Sequence, residues 1–106
     1  MSTVVALCSC PDSETAARIA RVLVEERLAA CVQALPGIVS TYRWQGAVQQ
    51  ETEVLLLIKT TRERFDELKA RLPDLHPYDV PELIAVDAID GLGAYLDWIA
   101  AATSRQ

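Results

Sequence analysis

The sequence predicts an α+β fold on three observations. Short apolar runs of strand length are bounded by turn residues, and two segments carry apolar residues at helical spacing. These alternate in the order β-α-β-β-α-β before a last helix. That order suits an antiparallel four-stranded sheet with both crossover helices on one face, a ferredoxin-like βαββαβ sandwich. At 106 residues, 51% apolar and 24% charged, the chain has the size and composition of one domain, residues 1–106.

Thr3 to Ser9 reads as a buried strand centred on Val4-Val5-Ala6-Leu7-Cys8 and stopped by Cys10-Pro11-Asp12-Ser13. Pro11 with Asp12 or Ser13 opens a helix whose Ala16, Ile19, Ala20, Leu23, Val24 and Leu28 share one face. From Cys31 the chain turns extended, breaks at Pro36-Gly37, and alternates from Ile38 to Trp44 up to a turn at Gln45-Gly46. The return strand is polar at Gln49-Gln50-Glu51 and apolar from Val54 to Ile58, which predicts a hairpin longer than a small sheet needs. Thr60 and Glu63 have capping-box spacing for a second helix that carries Phe65, Leu68 and Leu72 and closes at Pro73. Leu83 to Val86 reads as the fourth strand and Gly91 to Ala101 as a terminal helix. Tyr95, Trp98 and Ile99 are available to one side of that helix, and Thr103 to Gln106 reads as a frayed tail.

Charge narrows the partners. A formal net charge of −5 with no Lys/Arg cluster opposes nucleic-acid binding, which requires phosphate neutralisation, and mildly attracts cations. No apolar run approaches the roughly 20 residues of a membrane span, and no basic amphipathic helix is readable. The N-terminus lacks the basic and apolar regions of a signal peptide, which predicts a cytoplasmic protein. The three cysteines, an odd number, fit a reducing compartment better than a disulfide framework.

The densest chemistry lies in His76-Pro77-Tyr78-Asp79-Val80-Pro81-Glu82, where two prolines hold the only histidine in a rigid, extended lead-in. In the predicted topology Cys8, ending the first strand, and His76, in the loop entering the fourth, meet at one end of the sheet. Thiolate with imidazole is a soft donor set that favours copper or zinc over magnesium or calcium. Equally, Cys8 is a small buried hydrophobe and His76 a residue that packs in a fixed loop. Cys31 reads as buried, and it lies at the opposite end of the sheet from His76, which removes it as a nucleophile partner. Tyr42, Trp44, Tyr78, Tyr95 and Trp98 either line a small-molecule cleft or fill cores and subunit contacts, the latter being preferred. Glu51, Glu53 and Lys59 read as interfacial charges. With no Gly-rich phosphate loop, two-histidine zinc motif or G-x-S-x-G elbow, the chain is expected to bind rather than catalyse.

Three stretches join the His76 loop in a pattern that closely resembles the CutA family of divalent-cation tolerance proteins: Glu25-Glu26-Arg27-Leu28-Ala29-Ala30-Cys31-Val32, Pro36-Gly37-Ile38-Val39-Ser40-Thr41-Tyr42-Arg43-Trp44-Gln45-Gly46, and Tyr95-Leu96-Asp97-Trp98-Ile99. The resemblance runs from about Val4 to about Ile99. It implies the same fold with an elongated second hairpin, and a homotrimer packed like PII signalling proteins. It also implies copper ligands at the position of Cys8 and at two adjacent histidines before Pro-Tyr. Here His76 is the second of these and Leu75 stands at the first. Cys10 is a substitute donor, because Cys8-Ser9-Cys10 puts two sulfurs on one side of an extended chain. The expectation is therefore a cytosolic homotrimer that binds copper through Cys8 and His76, with Cys10 as an additional candidate ligand, and serves the response to metal ions. The rival is a PII-like sensor or scaffold that takes a small anionic metabolite or protein partner in clefts between subunits.

Overall fold

A computed structural model describes residues 2–105. Strand β1 (Thr3–Cys10) pairs antiparallel with β3 (Ala47–Thr61) on one side and with β4 (Ile84–Asp87) on the other. β2 (Cys31–Trp44) lies outside β3, so the order is β2-β3-β1-β4 and all neighbours are antiparallel. Strand alternation decides the core: Val4, Ala6, Cys8 and Cys10 are buried at every second position. Cys8 and Cys10 join Ala16, Ile19, Leu23, Leu56, Leu68 and Leu72 in one apolar cluster.

The hairpin projects as expected. Pairing of β1 with β3 ends at Cys10↔Val54, whereas β2 and β3 stay paired outward to Trp44↔Ala47. This arm gives the molecule a long dimension of 44 Å. Between Leu35 and Ile38 the ladder slips; Pro36 cannot donate a hydrogen bond, and Gly37 takes φ 79°. At the tip Gln45 and Gly46 have φ 51° and 82°, the two left-handed central residues of a tight hairpin turn.

Helix α1 (Ser13–Glu25) is capped by Asp12, whose carboxylate accepts from Thr15 N at 2.7 Å. It ends in a Schellman arrangement: Arg27 takes φ 60°, Leu28 N–H reaches Leu23 O at 2.9 Å, and Arg27 N–H reaches Val24 O at 3.1 Å. The buried Leu23 and Leu28 supply the apolar contact of that motif. Helix α2 (Arg62–Leu75) covers the same sheet face, and α3 (Gly93–Ala102) follows β4.

Several boundaries differ from expectation. β1 extends through Cys10, because Val54 pairs with it, so Cys8 lies two residues inside the strand. Thr61, not Thr60, caps α2 by accepting from Arg64 N at 3.4 Å; Thr60 instead donates its hydroxyl to Leu28 O at 2.7 Å. Pro73 lies inside α2 rather than closing it: the proline has no N–H to give, yet the helix runs on to Leu75 and His76 N–H closes the last turn on Leu72 O at 3.1 Å. β4 is shifted one residue onward from Leu83–Val86, in register with Val4 to Leu7. Of the expected α3 face only Ile99 is buried, and Val24 of α1 is exposed. Thr103 belongs to the packed end of α3, with its hydroxyl donating to Ile99 O at 2.9 Å; Gln106 lies outside the described residues.

Candidate metal centre

Cys8 and Cys10 project from one side of β1, both fully buried. His76 follows the last turn of α2 and is buried against the same end of β1. One ligand atom from each lies within 4.8 Å of the others. A soft ion with metal–sulfur bonds of about 2.3 Å and metal–nitrogen bonds of about 2.0 Å needs donors roughly 4 Å apart. The three donors fit such an ion after a closure of about 1 Å. Cys31 opens β2 beside Lys59, at the far end of the sheet, as the topology required.

Hydrogen bonding fixes the imidazole. The Tyr78 backbone N–H donates to Nδ1 at 3.2 Å, and Nε2 lies 2.8 Å from the Ser9 carbonyl oxygen. Since the amide can only donate and the carbonyl only accept, His76 is the neutral tautomer protonated at Nε2. The Tyr78 ring packs on the imidazole with centroids 4.7 Å apart.

The thiols differ in their electrostatics. A hydrogen bond to the Cys10 sulfur holds the Cys8 thiol well above the ordinary thiol range, reinforced by burial and by the negative charges of Glu82 and Glu53. The same bond lowers Cys10, against the opposing effects of burial and Glu53.

Beside this centre, between the projecting hairpin and the His76 loop, lies an open cavity of about 870 Å³. Tyr42, Trp44 and Tyr78 line it together with Glu51, Glu53, Asp79 and Glu82. Tyr42 donates to Glu51 at 2.5 Å and Tyr78 to Glu53 at 2.6 Å; Glu53 is only 5% exposed. Its lining contains no Lys or Arg. The aromatic set therefore divides, because Tyr95 and Trp98 stack on each other along α3 at 5.6 Å, away from the cavity. Lys59 donates to Gln33 at 2.7 Å and stands over the Tyr95 ring. Sequence reasoning left out the Ser9 carbonyl and the Tyr78–Glu53 bond; alternation beside the cysteines places Ser9, but nothing local in sequence links Tyr78 to Glu53.

Comparison with known proteins gives concordant results. A sequence model described as the CutA1 divalent ion tolerance protein matches residues 4–102. A divalent-cation tolerance protein CutA from Thermus thermophilus is 53% identical over 95 residues, covering 90% of this chain and 92% of the relative. Of the human CutA protein's length, the chain spans 52%. The crystal structure of CutA from Xylella fastidiosa superposes with a TM-score of 0.95 at 48% identity, covering 98% of this chain and 100% of that one. A structure from Archaeoglobus fulgidus described as a periplasmic divalent cation tolerance protein gives 0.93 at 34% identity, covering 96% and 99%.

Proposed function

The chain belongs to the CutA1 divalent ion tolerance family, and we propose that it acts there by binding a soft metal ion, copper first, through Cys8, Cys10 and His76. The observation that carries this reading is the convergence of two buried sulfurs and one imidazole within 4.8 Å. Two sulfurs compensate for Leu75, which packs against the apolar core where the family resemblance implies another imidazole. Such a set holds copper or zinc and disfavours hard cations. We read the chain as one cytoplasmic domain assembling into a homotrimer, a binding protein rather than an enzyme. It has no role at nucleic acid or membrane, and no helix among the described residues is long and apolar enough to cross a membrane.

The rival is a PII-like sensor or scaffold that takes a small anionic metabolite or a protein partner in clefts between subunits, and its anionic form has less support. The cavity built by this chain carries four carboxylates and no basic residue in its lining, the wrong sign for an anion. Anaerobic calorimetry with Cu(I), Zn(II) and a panel of nucleotides separates the readings. One ion per chain is expected, with affinity falling at least tenfold in Cys8→Ser, Cys10→Ser and His76→Ala. Equal metal affinity in all four proteins would transfer the function to the rival reading, a ligand or partner in clefts between subunits.

A further inference from the structure

The His76 ring has a single lone pair, on Nδ1, and the Tyr78 amide already occupies it. A metal ion bound at Nδ1 displaces that amide. One bound at Nε2 sends the ring proton to Nδ1, where it faces the amide proton and breaks the Ser9 bond as well. Either route therefore costs the Tyr78 N–H bond, so the loop must move for the site to load. Burial demands the same movement, since Cys8 and Cys10 are wholly covered and His76 is 7% exposed. What holds the loop down is the other end of the same residue. The Tyr78 hydroxyl donates to Glu53 at 2.6 Å, and Glu53 is held on β3 by its pairing with Ile38 of β2, one residue beyond the last β1–β3 pair.

We propose that the Tyr78–Glu53 hydrogen bond is a latch that closes the His76 loop over the two thiols, and that latch and bound metal exclude one another. The inference rests on the metal reading above for its second half only. Because coupling is reciprocal, a latch that weakens metal binding is itself weakened by metal. Loading then frees Tyr78 and Glu53, which line the neighbouring cavity, and gives the metal-bound protein a differently shaped surface from the metal-free one.

The test uses the full chain carrying Cys31→Ser, so that only the buried pair reports. Alkylation by N-ethylmaleimide measures exposure of the thiols without metal; sulfur-to-cadmium ultraviolet absorption measures Cd(II) affinity. Tyr78→Phe keeps the ring on His76 and removes only the hydroxyl. It is expected to speed alkylation and tighten Cd(II) binding by roughly tenfold each, the effect of losing a hydrogen bond to a charged acceptor. Glu53→Gln keeps a weaker, neutral acceptor and is expected to fall between parent and Tyr78→Phe. Unchanged alkylation in Tyr78→Phe would overturn the latch. Faster alkylation with unchanged Cd(II) affinity would overturn the exclusion. Faster alkylation with no Cd(II) absorption in any variant would uphold the latch and overturn the metal reading.

Discussion

Cys8 and Cys10 share a side of one strand, so their Cα atoms stand about 6.6 Å apart at the usual strand rise, near the upper limit for a disulfide. Both are also pinned by pairing with Leu56 and Val54. Closing a bridge would sit at the edge of the allowed geometry and strain this end of the β1–β3 ladder. We expect the pair to remain reduced under mild peroxide, with mass spectrometry after alkylation finding two free thiols; a Cys8–Cys10 disulfide in the folded protein would show the strand to be looser than its ladder implies. At this scale the sequence was partly legible. Strand periodicity put the two sulfurs together, and topology brought His76 to their end of the sheet. The imidazole's tautomer was not legible, because it depends on a carbonyl 67 positions away and on the amide of Tyr78.

Elements were legible where local chemistry sets them. Gln45-Gly46 signals a turn, and the turn forms, but Gln45 takes a left-handed φ of 51° that asparagine adopts more readily. Gln45→Asn is therefore expected to raise unfolding stability by about 0.5 kcal/mol, read by urea titration. By contrast, the end of α1 has no glycine to announce it; Arg27 takes the left-handed position, and the stop is secured from α2. There the nearly buried Arg64 donates to Arg27 O at 3.0 Å, to Glu26 O at 3.2 Å, and to Glu67 at 2.9 Å. Loss of these bonds in Arg64→Ala should cost about 2–3 kcal/mol, and a loss below 0.5 kcal/mol would show that water replaces it. Asp12 supplies the acid limb. Thr15 N–H holds its carboxyl below the usual range, so its contribution is present above the ordinary aspartate pKa of about 3.9 and is lost as pH falls through the depressed value. Asp12→Asn keeps an acceptor for Thr15, so its stability should fall less steeply than the parent's between neutral pH and about pH 3.

For the molecule as a whole, apolar surface is left without cover. Ile84 and Val86 on the outer strand are 57% and 55% exposed; Leu92 is 76% and Ile89 99% exposed. Along the hairpin Val39, Val48 and Trp44 are 65%, 64% and 44% exposed. The sequence foresaw the long arm, but not which faces stay open, since the helices' choice of side is settled by the packed core. Both outer strands also offer unpaired backbone groups, which a second copy can pair and which otherwise invite disordered association. A trimer that buries these residues links folding to assembly, so reversible melting should move to higher temperature as protein concentration rises. Trp44, half-exposed at the tip of the arm, is the large aromatic best placed to reach another subunit. Sedimentation of the parent is expected to give a trimer at micromolar concentration, and Trp44→Ala should dissociate at a dilution the parent withstands, with its melting temperature more sensitive to concentration. A parent that sediments as a monomer would remove the trimer. A Trp44→Ala trimer as resistant to dilution as the parent would instead move the anchor from the hairpin to the exposed edge at Ile84 and Val86.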